Sequence, residues 1–138
     1  MIDEKYYYPG DMIFEKNLTF QDTLKHDIRV NGHPVLILTS ANFGEKFYAL
    51  KISGSYKCVG DLKNYYMLKQ NKKKGIFKTS YIDLRYIYEL ECKNVPPYEE
   101  VVTEKELNNI LKKLQEVQLV MKNENYKYVE NYYNIKNA

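Results

Sequence analysis

The chain has 138 residues and a net charge of only +3, which is one domain's worth of sequence, with room for a single enclosed core and not for two. No run approaches the roughly 18 to 20 apolar residues of a membrane span. Asp3 and Glu4, ahead of Tyr6, Tyr7 and Tyr8, break the basic-then-apolar plan of a secretory leader, so the expectation is a soluble cytoplasmic protein with no membrane partner.

In chain order, Asp11 to Glu15 reads as a short strand after a Pro9-Gly10 turn. A connection of about sixteen residues, Asn17 to Gly32, exceeds the usual two to six, and loops of that length in a compact domain are more often functional than idle. Val35 to Thr39 is an apolar, β-branched run that crosses a core, and Phe47 to Ile52 follows after a turn at Asn42 to Gly44. Tyr65 to Leu68, then Ile76 to Lys78 after a Lys74-Gly75 turn, then the alternating Arg85 to Glu91 complete the strands. Five or six short strands separated by turns predict a closed or nearly closed barrel, which removes vulnerable sheet edges.

Pro96-Pro97 ends the sheet. Thr103 to Glu106 is a capping box, and Leu107, Ile110, Leu111, Leu114, Val117 and Met121 then recur at helical spacing, predicting a structural helix packed on the barrel. Residues 1–121 form one domain on this reading, and 122–138 are an extension, helical or partly ordered. Cys58 and Cys92 lack CxxC or Cys/His spacing, so buried thiols are expected rather than a zinc site or disulfide framework. No cofactor or metal is expected.

Charge distribution matters more than its sum. Lys69, Lys72, Lys73, Lys74 and Lys78 fall within ten residues, and such clustering attracts polyanions by counterion release. The bland alternative is a solvated hairpin loop that protects a sheet edge. Fifteen tyrosines with no tryptophan supply stacking faces and hydroxyls for RNA, yet tyrosine is also a good strand former. Both histidines, His26 and His33, lie beside the first apolar strand, and an imidazole with a reference pKa of about 6.5 suits proton transfer near neutrality. The segment order sets His33 and Ser53 at neighbouring strand ends.

Taken together, "PGDMI", "GHPVLILTS", "YALKISGS", "GIFKTSYIDLRYIYEL" and "VTEKELNNILKKLQEV" resemble the MazF/PemK family of toxin endoribonucleases. The same barrel occurs in the RNA-inhibited ToxN, TenpN and CptN toxins. The resemblance spans roughly residues 8 to 120. It implies a mostly β fold, a small SH3-like barrel of five to seven short strands with a C-terminal helix packed on it. It also implies metal-independent cleavage of single-stranded RNA by attack of the ribose 2′-OH, leaving 2′,3′-cyclic phosphate and 5′-OH ends.

His33 falls at the family's basic catalytic position, normally Arg or Lys, and Ser53 at its Thr or Ser position. Ser80 falls on the serine that starts the last sheet segment, where a structural role is preferred. Such a reaction needs proton carriers and positive charge at the crowded phosphate. The implied catalytic set is His33 as a proton carrier, Ser53 holding a phosphate oxygen, and Lys51 or Lys57 supplying charge. The RNA-binding set is Lys25, His26, Arg29, Ser55, Lys72, Lys73, Lys74 and Lys78. The implied partners are substrate RNA and an antitoxin, with room for an oligomer formed with that antitoxin. The long basic loop and the lysine cluster favour a folded RNA over a protein in that role. The competing reading is a non-catalytic SH3-like barrel that binds nucleic acid or a peptide.

Overall fold

The computed structural model describes residues 5–15, 33–53, 62–69, 79–93, 95–97 and 102–121, with the backbone alone for Glu15, His33, Leu62, Val120 and Met121. Five strands follow in chain order: β1 (Met12–Glu15), β2 (His33–Ile37), β3 (Lys46–Ser53), β4 (Tyr65–Leu68) and β5 (Ser80–Glu91). A 3₁₀ turn (Leu62–Asn64) precedes β4, and one helix, α1 (Glu104–Met121), follows β5. The strands form one antiparallel sheet in the spatial order β1-β2-β3-β5-β4.

Local chemistry accounts for the element boundaries. Pro9 and Gly10 occupy the two central positions of a turn closed by the Asp11 amide donating to the Tyr8 carbonyl at 3.0 Å. Gly10 has φ +94°, the left-handed value that the third residue of a type II turn requires and that L side chains resist. The Asp11 carboxylate accepts from the Tyr8 amide at 2.9 Å, and the Gly10 amide donates to Ile37 at 2.8 Å. The turn thereby starts β1 in register with β2.

β3 is central and buried on both faces, which is why its apolar residues do not alternate cleanly. Leu50 and Ile52 face a cluster with Met12, Leu36, Ile82, Leu84, Ile110, Leu114 and Val117, the layer between sheet and helix. Phe47 and Ala49 face the opposite cluster, with Tyr7, Ile13, Val35, Ile37, Ala41, Leu90 and Cys92. Each fully buried side chain of this size contributes about 1.5 to 3 kcal/mol.

The Thr103 hydroxyl caps α1 by accepting from the Glu106 amide at 3.1 Å, half of the expected capping box. The Glu106 carboxylate meets the Tyr66 hydroxyl on β4 rather than closing the other half, and burial followed by this neighbour pushes the Tyr66 phenol above its ordinary value. That trade ties the first turn of the helix to the sheet.

Three expectations change. The last strand begins at Ser80, where the resemblance set the start of the last sheet segment, rather than at Arg85, where the alternation set it, because Tyr66 to Leu68 pair with Ser80 to Ile82. The second strand is displaced toward the N-terminus, since Glu15 pairs with His33 while the Thr39 hydroxyl turns back to accept from the Tyr48 amide at 2.9 Å. Among the described residues no ladder joins β1 to β4, so the sheet is open and not a closed barrel. Each edge strand has four residues, and α1 covers the inner cluster in place of a further strand pairing. The strand expected at Ile76 to Lys78 lies outside the described residues. Among the described residues no helix is long and apolar enough to cross a membrane.

Candidate functional site

Strand direction decides which residues meet. β2 and β5 begin, and β1, β3 and β4 finish, at the same end of the sheet. At that end Glu15 pairs with His33, Ser53 with Tyr81, and Tyr81 with Met67. β2 and β3 set Val35 opposite Lys51, and carrying that register two residues outward brings position 33 level with position 53. Positions 15, 33, 53, 81 and 67 therefore form one row across the five strands.

Lys51 and Ser53 continue the face of β3 that carries Phe47 and Ala49, by the two-residue period of a strand. Each is only 6% exposed. A lysine this deep is costly unless its ammonium group is partnered, so the apolar cluster here gives way to a polar corner.

Beside that corner β5 departs from regular pairing. Leu50 is opposite Ile87 but Ile52 is opposite Ile82, so the four residues Asp83 to Tyr86 stand against Lys51 alone and form a bulge. The bulge is clamped from both sides. Asp83, fully buried, accepts from the Arg85 amide at 2.9 Å, from Arg85 Nε at 3.0 Å and from Nη2 at 2.8 Å. Nη2 also donates to the Tyr65 hydroxyl at 2.6 Å. The guanidinium carbon lies 5.1 Å from the centre of the Tyr65 ring and 5.0 Å from that of Tyr86, within cation–π range. The hydrogen bonds to Asp83, opposed by burial, hold the guanidinium protonated beyond its ordinary value.

From the helix side, Gln118 Nε2 donates to the Leu84 and Arg85 carbonyls at 2.8 and 3.2 Å. Those two carbonyls fix which end of the amide is nitrogen. Its Oε1 is buried and has no hydrogen-bond partner among the described residues. Lys113 of α1 donates to the Tyr65 carbonyl at the start of β4.

Of the residues singled out in the sequence, the structure brings Ser53 and Lys51 to this corner and places the backbone of His33 in the same row. Ser80 opens β5 opposite Leu68. Lys25, His26, Arg29, Ser55, Lys57, Lys72, Lys73, Lys74 and Lys78 lie outside the described residues. Their places in the chain still carry information. All nine fall in the segments 16–32, 54–61 and 69–79; the first and last of these join two strand ends at this end of the sheet, and 54–61 leaves it from the end of β3. Those segments hold nine Lys or Arg against three Asp or Glu, while the rest of the chain holds twelve against fifteen.

The sequence reading overlooked Asp83, Arg85, Tyr81 and Gln118. Two signals for them exist. Asp83-x-Arg85 puts opposite charges at a two-residue spacing inside a run of strand residues, and Gln118 stands four residues after Leu114 on the stripe that faces the core. Among the described residues no group of three or more His, Cys, Asp or Glu is placed to hold a metal ion. No protein-family model matches the chain, and no curated protein matches it.

Proposed function

We propose that the chain is a metal-independent endoribonuclease of the MazF/PemK-like, SH3-like type, the toxin of a toxin–antitoxin or phage-defence pair acting in the cytoplasm. One observation carries the reading. The topology returns the ends that bear His33, Ser53 and Lys51 to one side of the sheet, where the net-positive connections also attach. A polyanion drawn to that side by its phosphates meets a hydroxyl, a buried lysine and an imidazole-bearing strand end.

The chemistry follows from those groups. His33 carries a proton to or from the reacting oxygens, Ser53 donates a hydrogen bond to a non-bridging phosphate oxygen, and Lys51, with Lys57, offsets the charge that builds on the pentacoordinate phosphate. The ribose 2′-OH is the nucleophile: its oxygen bonds to phosphorus as the bond to the 5′-oxygen breaks. The products are a 2′,3′-cyclic phosphate and a 5′-OH. The antitoxin, a folded RNA in preference to a protein, binds over the same basic segments.

Incubation of the purified chain with single-stranded RNA in EDTA tests the reading. Fragments with 5′-OH ends, labelled by kinase without phosphatase, are expected, and a 2′-deoxy substitution at the cleaved nucleotide should stop cutting while leaving binding. A mobility shift with no fragments would assign the chain to the non-catalytic binding modules. Fragments with 5′-phosphate ends would exclude the 2′-OH as nucleophile.

A further inference from the structure

Arg85 is one of two arginines among the 21 basic residues of the chain, and the bulge holds it by one edge. Nε and Nη2 are engaged by Asp83 and the Tyr65 hydroxyl, whereas Nη1 has no hydrogen-bond partner among the described residues. Asp83 is fully buried but 26% of the Arg85 side chain reaches solvent. The planar fork explains the choice of residue. A lysine satisfying Asp83 would spend its single nitrogen on the carboxylate, while arginine keeps Nη1, aimed by the same rigid plane.

Position completes the argument. Asp83 is two residues along β5 from Tyr81, the partner of Ser53, which at strand spacings sets it roughly 8 Å from Ser53 between Cα atoms. Two aromatic rings and a buried carboxylate fix the guanidinium before any ligand arrives, the condition under which a charged donor loses least on binding.

We propose that Arg85 holds a backbone phosphate of the bound single-stranded RNA through Nη1, neighbouring the phosphate at Ser53. This rests on the reading of the chain as an RNA-cutting enzyme and adds to it a second, preorganised phosphate contact. Arg85 is here an RNA-binding residue, not a proton carrier. Asp83, Tyr65 and Tyr86 serve it by setting its direction, and Gln118 serves it by holding the bulge carbonyls.

The test uses the full chain and a short single-stranded 2′-O-methyl RNA, which cannot be cut, with affinity measured across a salt series. Each phosphate neutralised on a single strand contributes about 0.7 to the slope of log affinity against log salt. Arg85→Met should lower the slope by about that amount and weaken binding about tenfold. A folded Arg85→Met protein with the wild-type slope overturns the proposal, because a purely structural clip alters stability and leaves the slope alone.

If that variant fails to fold, the wild type decides. Its two arginine side chains give two Nε–H resonances, assigned with Arg29→Lys. The Arg85 signal should move and saturate with RNA, and a signal that stays put overturns the contact. Failure here is separable from failure of the nuclease reading. A chain that binds RNA with the expected slopes yet never cuts ends the nuclease assignment and leaves Arg85 in place. A chain that cuts RNA while Arg85→Met keeps the slope ends the Arg85 assignment alone.

Discussion

The two ends of the sheet are built from different materials. At the end where β2 turns into β3, the Tyr6 ring lies 4.4 Å from Phe43 and 5.1 Å from Tyr7, and Tyr7 meets Phe47 edge-on at 5.2 Å. The Tyr7 hydroxyl donates to the Lys93 and Val95 carbonyls. Backbone bonds join Tyr7 to Ala41 and Gly44 to Cys92, and the connection is a short turn with Gly44 at φ +81°. At the opposite end, buried Lys51 and Ser53 lie beside a bulge whose charge and carbonyls need dedicated partners. A sheet can carry buried polar groups at one end because the other is sealed by aromatic packing and by backbone bonds between segments distant in sequence, whose stability offsets the cost.

That contrast makes mutations at the two ends separable. The largest expected effect is His33→Ala, which should lower the single-turnover rate of RNA cleavage by about 10² to 10⁴ with unchanged circular dichroism. Wild-type cleavage by a folded His33→Ala protein would remove the polar end from the mechanism. Phe47→Ala at the sealed end should do the reverse, lowering unfolding free energy by about 3 to 5 kcal/mol while cleavage per folded molecule is retained; denaturant unfolding alongside activity at low temperature measures both.

Between the ends, Gln118→Leu leaves the Leu84 and Arg85 carbonyls without their donor and should cost about 2 kcal/mol, read as a lower urea midpoint. An unshifted midpoint would mean that the bulge is held by Asp83 and Arg85 alone. The smallest effect concerns Asp11, whose carboxyl is pushed up by burial, against the lowering pull of the Tyr8 amide. The folded chain thus holds that proton more readily than the unfolded chain. The group's contribution is fully present below the ordinary carboxylate value and is lost as pH rises through the raised one. In Asp11→Asn, which keeps an acceptor for the Tyr8 amide, wild-type stability relative to the variant should fall as pH rises from about 3 to 6. A flat difference in melting temperature across that range would show that burial does not perturb the carboxyl.

Several features were legible because their causes lie within a few residues. Pro9-Gly10 fixes its turn by backbone sterics, Thr103 caps α1 through its own side chain, and Tyr65 to Leu68 form the strand expected of them. The alternation of Arg85 to Glu91 did not show where β5 starts, although the resemblance set the start of the last sheet segment at Ser80, because its first residues are fixed by pairing with β4. Gln118 interrupts an apolar stripe, and nothing local says that the carbonyls it serves lie on β5.

The sequence by itself determined the succession of short strands, the capped helix, and the gathering of basic residues into a few segments, because propensity, capping and charge are properties of neighbours along the chain. Only the tertiary structure decided that Ser53 stands opposite Tyr81, that Arg85 is held through Nε and Nη2 with Nη1 unpartnered among the described residues, and that the described strands form an open sheet with the helix over one face. Those outcomes depend on register and on partners distant in sequence, and a shift of one residue in any ladder would have turned each of these side chains to the other face.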